Sequence, residues 1–420
     1  MDKKTKGSWL IHHTNKLQGI TNQAGYDKTF LAGKAGILLS AISSDNQITV
    51  NDQRLNVLAA AANINTTFEL PKLIEVLQQQ QLISKGNGAI AVLGVSTATT
   101  LQHTSDIFDS LNPGAGEKAA IELAELASTE PVLQTEVSEM LADIHKLGRV
   151  EVSQLMLDSE QIGFVDVERL SENETLLFNG NLFRRDTTRK IKTVLDSLTP
   201  TEQSKLMELT DALRKQACVG VEWALQLLGE VLFKKVTAIG LFDISVVSNS
   251  IEDAGFMTLP SAFSKFSNSM VDDAFDLAKA FVSSVTYGMT KSSYQRGQIQ
   301  MVDLLLSALV RGESVGPVSA IAQDYKVLEL KGVVEVKSGS KNGRTGPMLR
   351  LLKKEVGELA LQAIRQGDVS EYSLSSLPSA AVTTFKGPEQ NREKTRRKQM
   401  QSSPKATNDM LSILRTGGGL

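Results

Sequence analysis

The chain has 420 residues and a formal net charge of −2, enough length for two to four domains at roughly 100–200 residues each and no overall basic balance to attract a polyanion. Hydrophobic residues make up 41% and aromatics only 5%, so its cores must be built from Leu, Ile, Val and Ala, which leans towards helices. The single cysteine, Cys218, excludes an intramolecular disulfide and with it a secreted disulfide scaffold, while the lack of about 18 consecutive apolar residues argues against a membrane span.

Met1 to Gly7 is charged and is not followed by a signal-peptide core, so the expected location is the cytoplasm, and residues 1–29 read as an N-terminal extension. The first module is expected over 30–95. Phe30 to Ile42 predicts a helix, Ile48 to Val50 a short strand, and Asn51 or Asp52 caps a second helix reaching Ala62. Thr67 to Gln81 predicts a third helix, its apolar residues Leu70, Leu73, Ile74 and Leu77 on one stripe and Pro71 in its first turn. Two short apolar runs around Gly86-Asn87-Gly88 predict a β-hairpin.

Residues 96–116 are polar and end in Asn-Pro-Gly-Ala-Gly, and read as a linker. A central α+β region is expected over 117–290. It begins with one or two helices at 117–147. Three short strands follow over 149–178, where Val150, Val152, Leu155 and Leu157 suggest the period of a strand. Thr199, Pro200 and Glu202 have the spacing of a capping box, with Trp223, Leu227, Val231 and Leu232 on a later helical face. Cys218 is expected as a buried hydrophobe on a helix face. Leu241 to Val247 and Gly255 to Leu259 predict a hairpin, followed by a helix over 271–288. Residues 296–366 predict two helices, a hairpin around a mobile tip at 338–346, and a closing helix. Residues 367–420 read as a disordered basic tail, with a basic run at Arg392 to Lys398 and an apolar patch at Met410 to Leu414. The expected fold class is therefore mainly α with small β-hairpins.

Enzyme chemistry is thin. His12, His13, His103 and His145 match no zinc spacing, Gly33-Lys34 lacks the rest of a phosphate loop, and Asp243, Glu252 and Asp253 read as turn residues. No catalytic residue, metal or cofactor is assigned, and the chain is expected not to be an enzyme.

Local charge is more informative. Lys337, Lys341, Arg344, Arg350 and Lys353 crowd the 332–352 hairpin and its flank, with Glu335 the one acid before Glu355. Such a basic loop suits phosphate contact. On the 67–81 helix and its hairpin, Thr66, Thr67, Lys72, Gln78, Gln79, Lys85 and Asn87 are the residues able to meet phosphates and base edges.

The order helix, strand, helix, helix, hairpin at 30–95 resembles the winged helix-turn-helix superfamily, and 296–366 is similar but weaker. That resemblance implies DNA binding, with the third helix in the major groove. The expected function is a double-stranded-DNA-binding protein, either a transcription regulator or the DNA-engaging subunit of a larger complex, for instance in genome maintenance or antiviral (phage) defence. The alternative is a structural adaptor whose modules dock proteins such as an ATPase or nuclease, or a second copy of the chain.

Overall fold

Hydrophobic burial begins at the first helix, α1 (Lys3–Leu17), whose residues Gly7 to Thr14 are buried on every side. The computed structural model describes residues 1–18, 25–43, 49–86, 88–95, 97–171, 174–249, 252–266 and 272–371. Residues 1–29 are thus no extension: α1 packs against α2 (Asp27–Ser43) and α5 (Thr97–Ser110). A helix buried all round has no polar face to mark it in sequence. The expected linker at 96–116 is corrected for the same reason, since α5 buries Leu101, Ile107 and Phe108 completely. Small residues permit the close approach. A Cβ on Gly33 or Gly36 of α2 would fall 1.9 Å from Thr14 Oγ1 or 2.1 Å from Thr104 Oγ1.

The first unit continues with β1 (Thr49–Asn51), α3 (Asp52–Ala61), α4 (Leu70–Gln79), β2 (Ile83–Gly86) and β3 (Ala89–Val92). Asn51 caps α3 by accepting the Arg54 N–H at 2.8 Å. The antiparallel sheet has the order β1-β3-β2.

The central region contains the same order twice more. First come α6 (Ala115–Thr129), β4 (Val132–Leu133), α7 (Gln134–His145), α8 (Arg149–Ile162), β5 (Asp166–Arg169) and β6 (Thr175–Phe178), with sheet order β4-β6-β5. The strand expected at 150–157 is helix α8. Val152, Leu155, Met156 and Ser159 bury one face, and the Gly148 N–H is capped by Glu151 Oε2 at 2.7 Å. After α9 (Thr188–Asp196) come α10 (Pro200–Gln216), β7 (Cys218–Gly220), α11 (Val221–Leu228), α12 (Glu230–Ala238), β8 (Asp243–Ser248) and β9 (Asp253–Thr258), with order β7-β9-β8. The expected capping box is present, the Thr199 N–H donating to Glu202 Oε2 at 2.9 Å. Cys218 is buried as expected but lies on strand β7, not on a helix face.

The last unit follows α13 (Pro260–Ser264) and α14 (Asp272–Thr290). It comprises α15 (Val302–Val310), a one-residue bridge from Val315 to Leu349, α16 (Ile321–Asp324), α17 (Lys326–Leu330), β10 (Val334–Lys341), β11 (Arg344–Leu351) and α18 (Lys354–Gln366). The expected mobile tip at 338–346 is instead a paired ribbon. Gly339 stands opposite Gly346, and only Asn342 and Gly343 turn the chain, both at positive φ (52° and 74°), as a two-residue Asn-Gly hairpin requires. Residues 367–371 also depart from the expected tail: Val369 is buried and its N–H reaches the Ala262 carbonyl at 2.9 Å. Residues 372–420, with the basic run and the apolar patch, lie outside the described residues.

Among the described residues, then, one topology recurs in four places: helix, first strand, two helices, hairpin, with the last strand central. The chain is mainly helical with small antiparallel sheets, and no described helix is long and apolar enough to cross a membrane. Neighbouring units share cores. Glu117 of α6 is buried and accepts the Thr29 N–H of α2 at 2.8 Å. The β7-β9-β8 sheet contributes Met257 to one cluster and Val247, Ala254 and Phe256 to another that extends through α14 to α18. Lys4 of α1 pairs with Asp368, just past α18, at 3.1 Å.

Candidate nucleic-acid interface

The β10–β11 register decides how its charges are displayed. Residues paired across an antiparallel ladder lie on one face and successive residues alternate faces. Arg350 stands opposite Glu335, Met348 opposite Lys337, and Arg344 opposite Lys341. Lys337, Lys341, Arg344 and Arg350 therefore share one face, while Val334, Val336, Leu349 and Leu351 line the other, against the core. All four cationic side chains are exposed. Lys337 pairs with Glu335 at 2.7 Å. Among the described residues Lys341, Arg344 and Arg350 have no ion pair, although two like charges face each other at the tip, an arrangement that disfavours the free state. Lys353 is half-buried at the start of α18, beyond the paired strands.

In the first unit, Thr66 and Thr67 are exposed on the turn before α4. Lys72, Gln78 and Gln79 are exposed on α4 itself, opposite its buried Leu70, Leu73, Ile74 and Leu77. Gln79 Nε2 donates to Glu75 at 3.2 Å. Lys85 is exposed on β2, opposite Ile90. Asn87 lies outside the described residues. Glu69, whose charge does not suit phosphate, is part of the turn. Its Oε2 accepts the Asn65 N–H at 2.7 Å and lies 3.5 Å from the buried Lys34, whose pKa burial lowers from the ordinary lysine value. Gly33-Lys34 is thus a packing element.

The two middle hairpins carry the opposite charge. Around β5–β6 stand Asp166, Glu168 and Glu174, and the lone cation on these strands, Arg169, lies 3.5 Å from Glu160. From Gly240 to Leu259 the sequence has Asp243, Glu252 and Asp253 and no lysine or arginine. These acids are engaged in part: Lys279 reaches Asp243 at 2.6 Å, and the Tyr287 hydroxyl donates to Glu252 at 3.2 Å. Reading the sequence missed both units. The Gly148-x-x-Glu151 cap was the available signal for the first.

Elsewhere several charged groups are paired within the fold. A cleft of about 1230 Å³ is lined by α6, α10, α13 and its flanks, and the residues just past α18. In it Glu122 pairs with His145 at 2.6 Å, Glu125 with Lys265 at 2.5 Å, and Asp211 with Arg214 at 3.6 Å. No described cluster of His, Cys, Asp and Glu is arranged to hold a metal. Burial pushes the Cys218 thiol up to about 11, far from a reactive thiolate. His12 and His13 are buried among Trp9, Phe164 and Phe266, His13 stacking on Phe164 at 3.8 Å. Both ring nitrogens of His13 lack a hydrogen-bond partner. Burial, reinforced by Lys16, lowers the His13 pKa to about 3.

No family model matches the chain, and no curated protein matches it in sequence.

Proposed function

We propose that the chain is a winged-helix protein that binds double-stranded DNA through its first and last units, as a regulator or as the DNA-engaging subunit of a larger assembly. The observation that carries this reading is the single cationic face of the β10–β11 ribbon. At roughly 3.3 Å per residue, Lys337 and Lys341 stand about 13 Å apart along the strand, a span that covers several phosphates of a duplex strand at about 3.4 Å of axis each. Each phosphate contact adds about 0.9 to the slope of log affinity against log salt. Replacing Lys341, Arg344 and Arg350 by Gln is therefore expected to lower the slope by roughly 2.7. Fluorescence anisotropy with a random duplex at several salt concentrations measures it, and an unchanged slope overturns the proposal.

A second reading is supported by the middle units. Their acidic hairpins, with Val150 and Val231 exposed on the third helices α8 and α12, suit protein docking rather than phosphate contact. The two readings are compatible: the outer units hold DNA while the inner ones hold a partner protein. Co-purification of a partner that survives the triple substitution supports that division.

A further inference from the structure

At the start of its third helix each unit exposes an apolar side chain: Phe68 at 81%, Val150 at 84%, Val231 at 68% and Val327 at 51%. Phe68 differs from the others in being aromatic and in standing on a turn built to hold it. Asn65 Oδ1 accepts the N–H groups of Thr67 at 2.9 Å and Phe68 at 3.0 Å. The Asn65 carbonyl accepts from Glu69 at 3.0 Å and Leu70 at 2.9 Å. Glu69 closes the turn by accepting the Asn65 N–H at 2.7 Å. With its backbone fixed, Phe68 keeps only its own two side-chain torsions, so an aromatic contact made here costs little ordering.

Phe68 also leads a solvent-facing ridge. Lys72, Glu75 and Gln79 are spaced by three and four residues and are exposed, so they lie along one side of α4, and the exposed Phe68 stands on the turn that leads into it, four residues before Lys72. A ridge holding one cation and one carboxylate is poorly made for phosphates. Its chemistry matches the base edges of the major groove, where Gln pairs with adenine, Glu accepts from cytosine N4, and the one apolar group is the 5-methyl of thymine.

We infer that Phe68 is a sequence-reading residue that packs its ring on thymine methyl groups in the major groove, an assignment that rests on the DNA-binding reading of the first unit. The test uses the full chain with an alternating dA·dT duplex and the same duplex carrying deoxyuridine for thymine, which removes the methyl and leaves the pairing and charge. Anisotropy is expected to show about four-fold weaker binding to the deoxyuridine duplex, equivalent to the ~0.8 kcal/mol of one buried methyl-sized group. Phe68→Ala is expected to bind both duplexes equally, and Phe68→Met to keep the preference. Equal binding of both duplexes by the unaltered chain, or a preference that persists in Phe68→Ala, overturns the assignment while leaving DNA binding in place. Failure of the unaltered chain to bind either duplex overturns the DNA reading itself. Because the side chain is exposed, the Ala variant is expected to melt with the unaltered chain, which thermal unfolding checks.

Discussion

The β10–β11 hairpin of the last unit and the β5–β6 and β8–β9 hairpins of the middle units occupy the same place in the same topology, yet their charges are opposite. One presents Lys337, Lys341, Arg344 and Arg350 on a single face. The others present Asp166, Glu168 and Glu174, or Asp243, Glu252 and Asp253. The apolar positions that build the units are alike in kind, while the exposed positions have diverged. Topology alone therefore assigns no function to a unit, and the units differ in the charge on these strands.

The largest expected effect separates the outer ribbon from the body that supports the first two units. His12 and His13 are held neutral by burial, with pKa values below that of an exposed histidine. A histidine depressed in the folded state is protonated first in the unfolded chain, so its contribution is intact above about pH 6.5 and is lost as pH falls towards about 3, the folded value for His13. Stability is expected to fall by up to ~1.4 kcal/mol per pH unit for each histidine in that window. Replacing both by Leu is expected to flatten the fall. Thermal melts across pH 3–7 measure this, and an unchanged slope in the double variant shows that the acid response arises elsewhere.

Next in size is a direct contrast between hairpins. Neutralising Lys341, Arg344 and Arg350 is expected to remove roughly 40-fold of the affinity change between 50 and 200 mM salt, at about 0.9 log units of slope per contact. Replacing Glu168 and Glu174 by Gln is expected to leave that change almost intact. Equal losses from the two sets of substitutions would abolish the distinction. The smallest effect sharpens it. Glu174→Lys places a cation beside a middle hairpin and is expected to raise the salt slope by no more than about 0.9. No change at all would indicate that this hairpin faces away from the duplex proposed to meet the last unit.

Much of the first and last units was legible in the sequence because each local signal agreed with the fold. Asn51 sits at a true helix cap, the stripe of α4 faces the core, and Asn342-Gly343 turns a two-residue hairpin. The middle units were not legible for two reasons. In α8, exposed Val150 and Leu157 interleave with buried Val152 and Leu155 and imitate the alternation of a strand. Strands of two to four residues such as β4, β5 and β7 carry too few side chains to show a period. The candidate DNA-facing residues were nameable from residue type alone, but Lys353 was grouped with the hairpin although it lies beyond the paired strands, at the start of α18.

The sequence by itself determined the helical character of the chain, the caps and turns that punctuate it, and the concentration of positive charge near its last hairpin, because these depend on residues close together along the chain. Tertiary structure decided that Trp9, Leu101 and Phe108 belong to a core, that one topology is used repeatedly, and that four cations share a face. Those properties depend on which distant residues pack or pair together, and helix–helix contact and strand register are settled only when the whole chain buries its apolar surface.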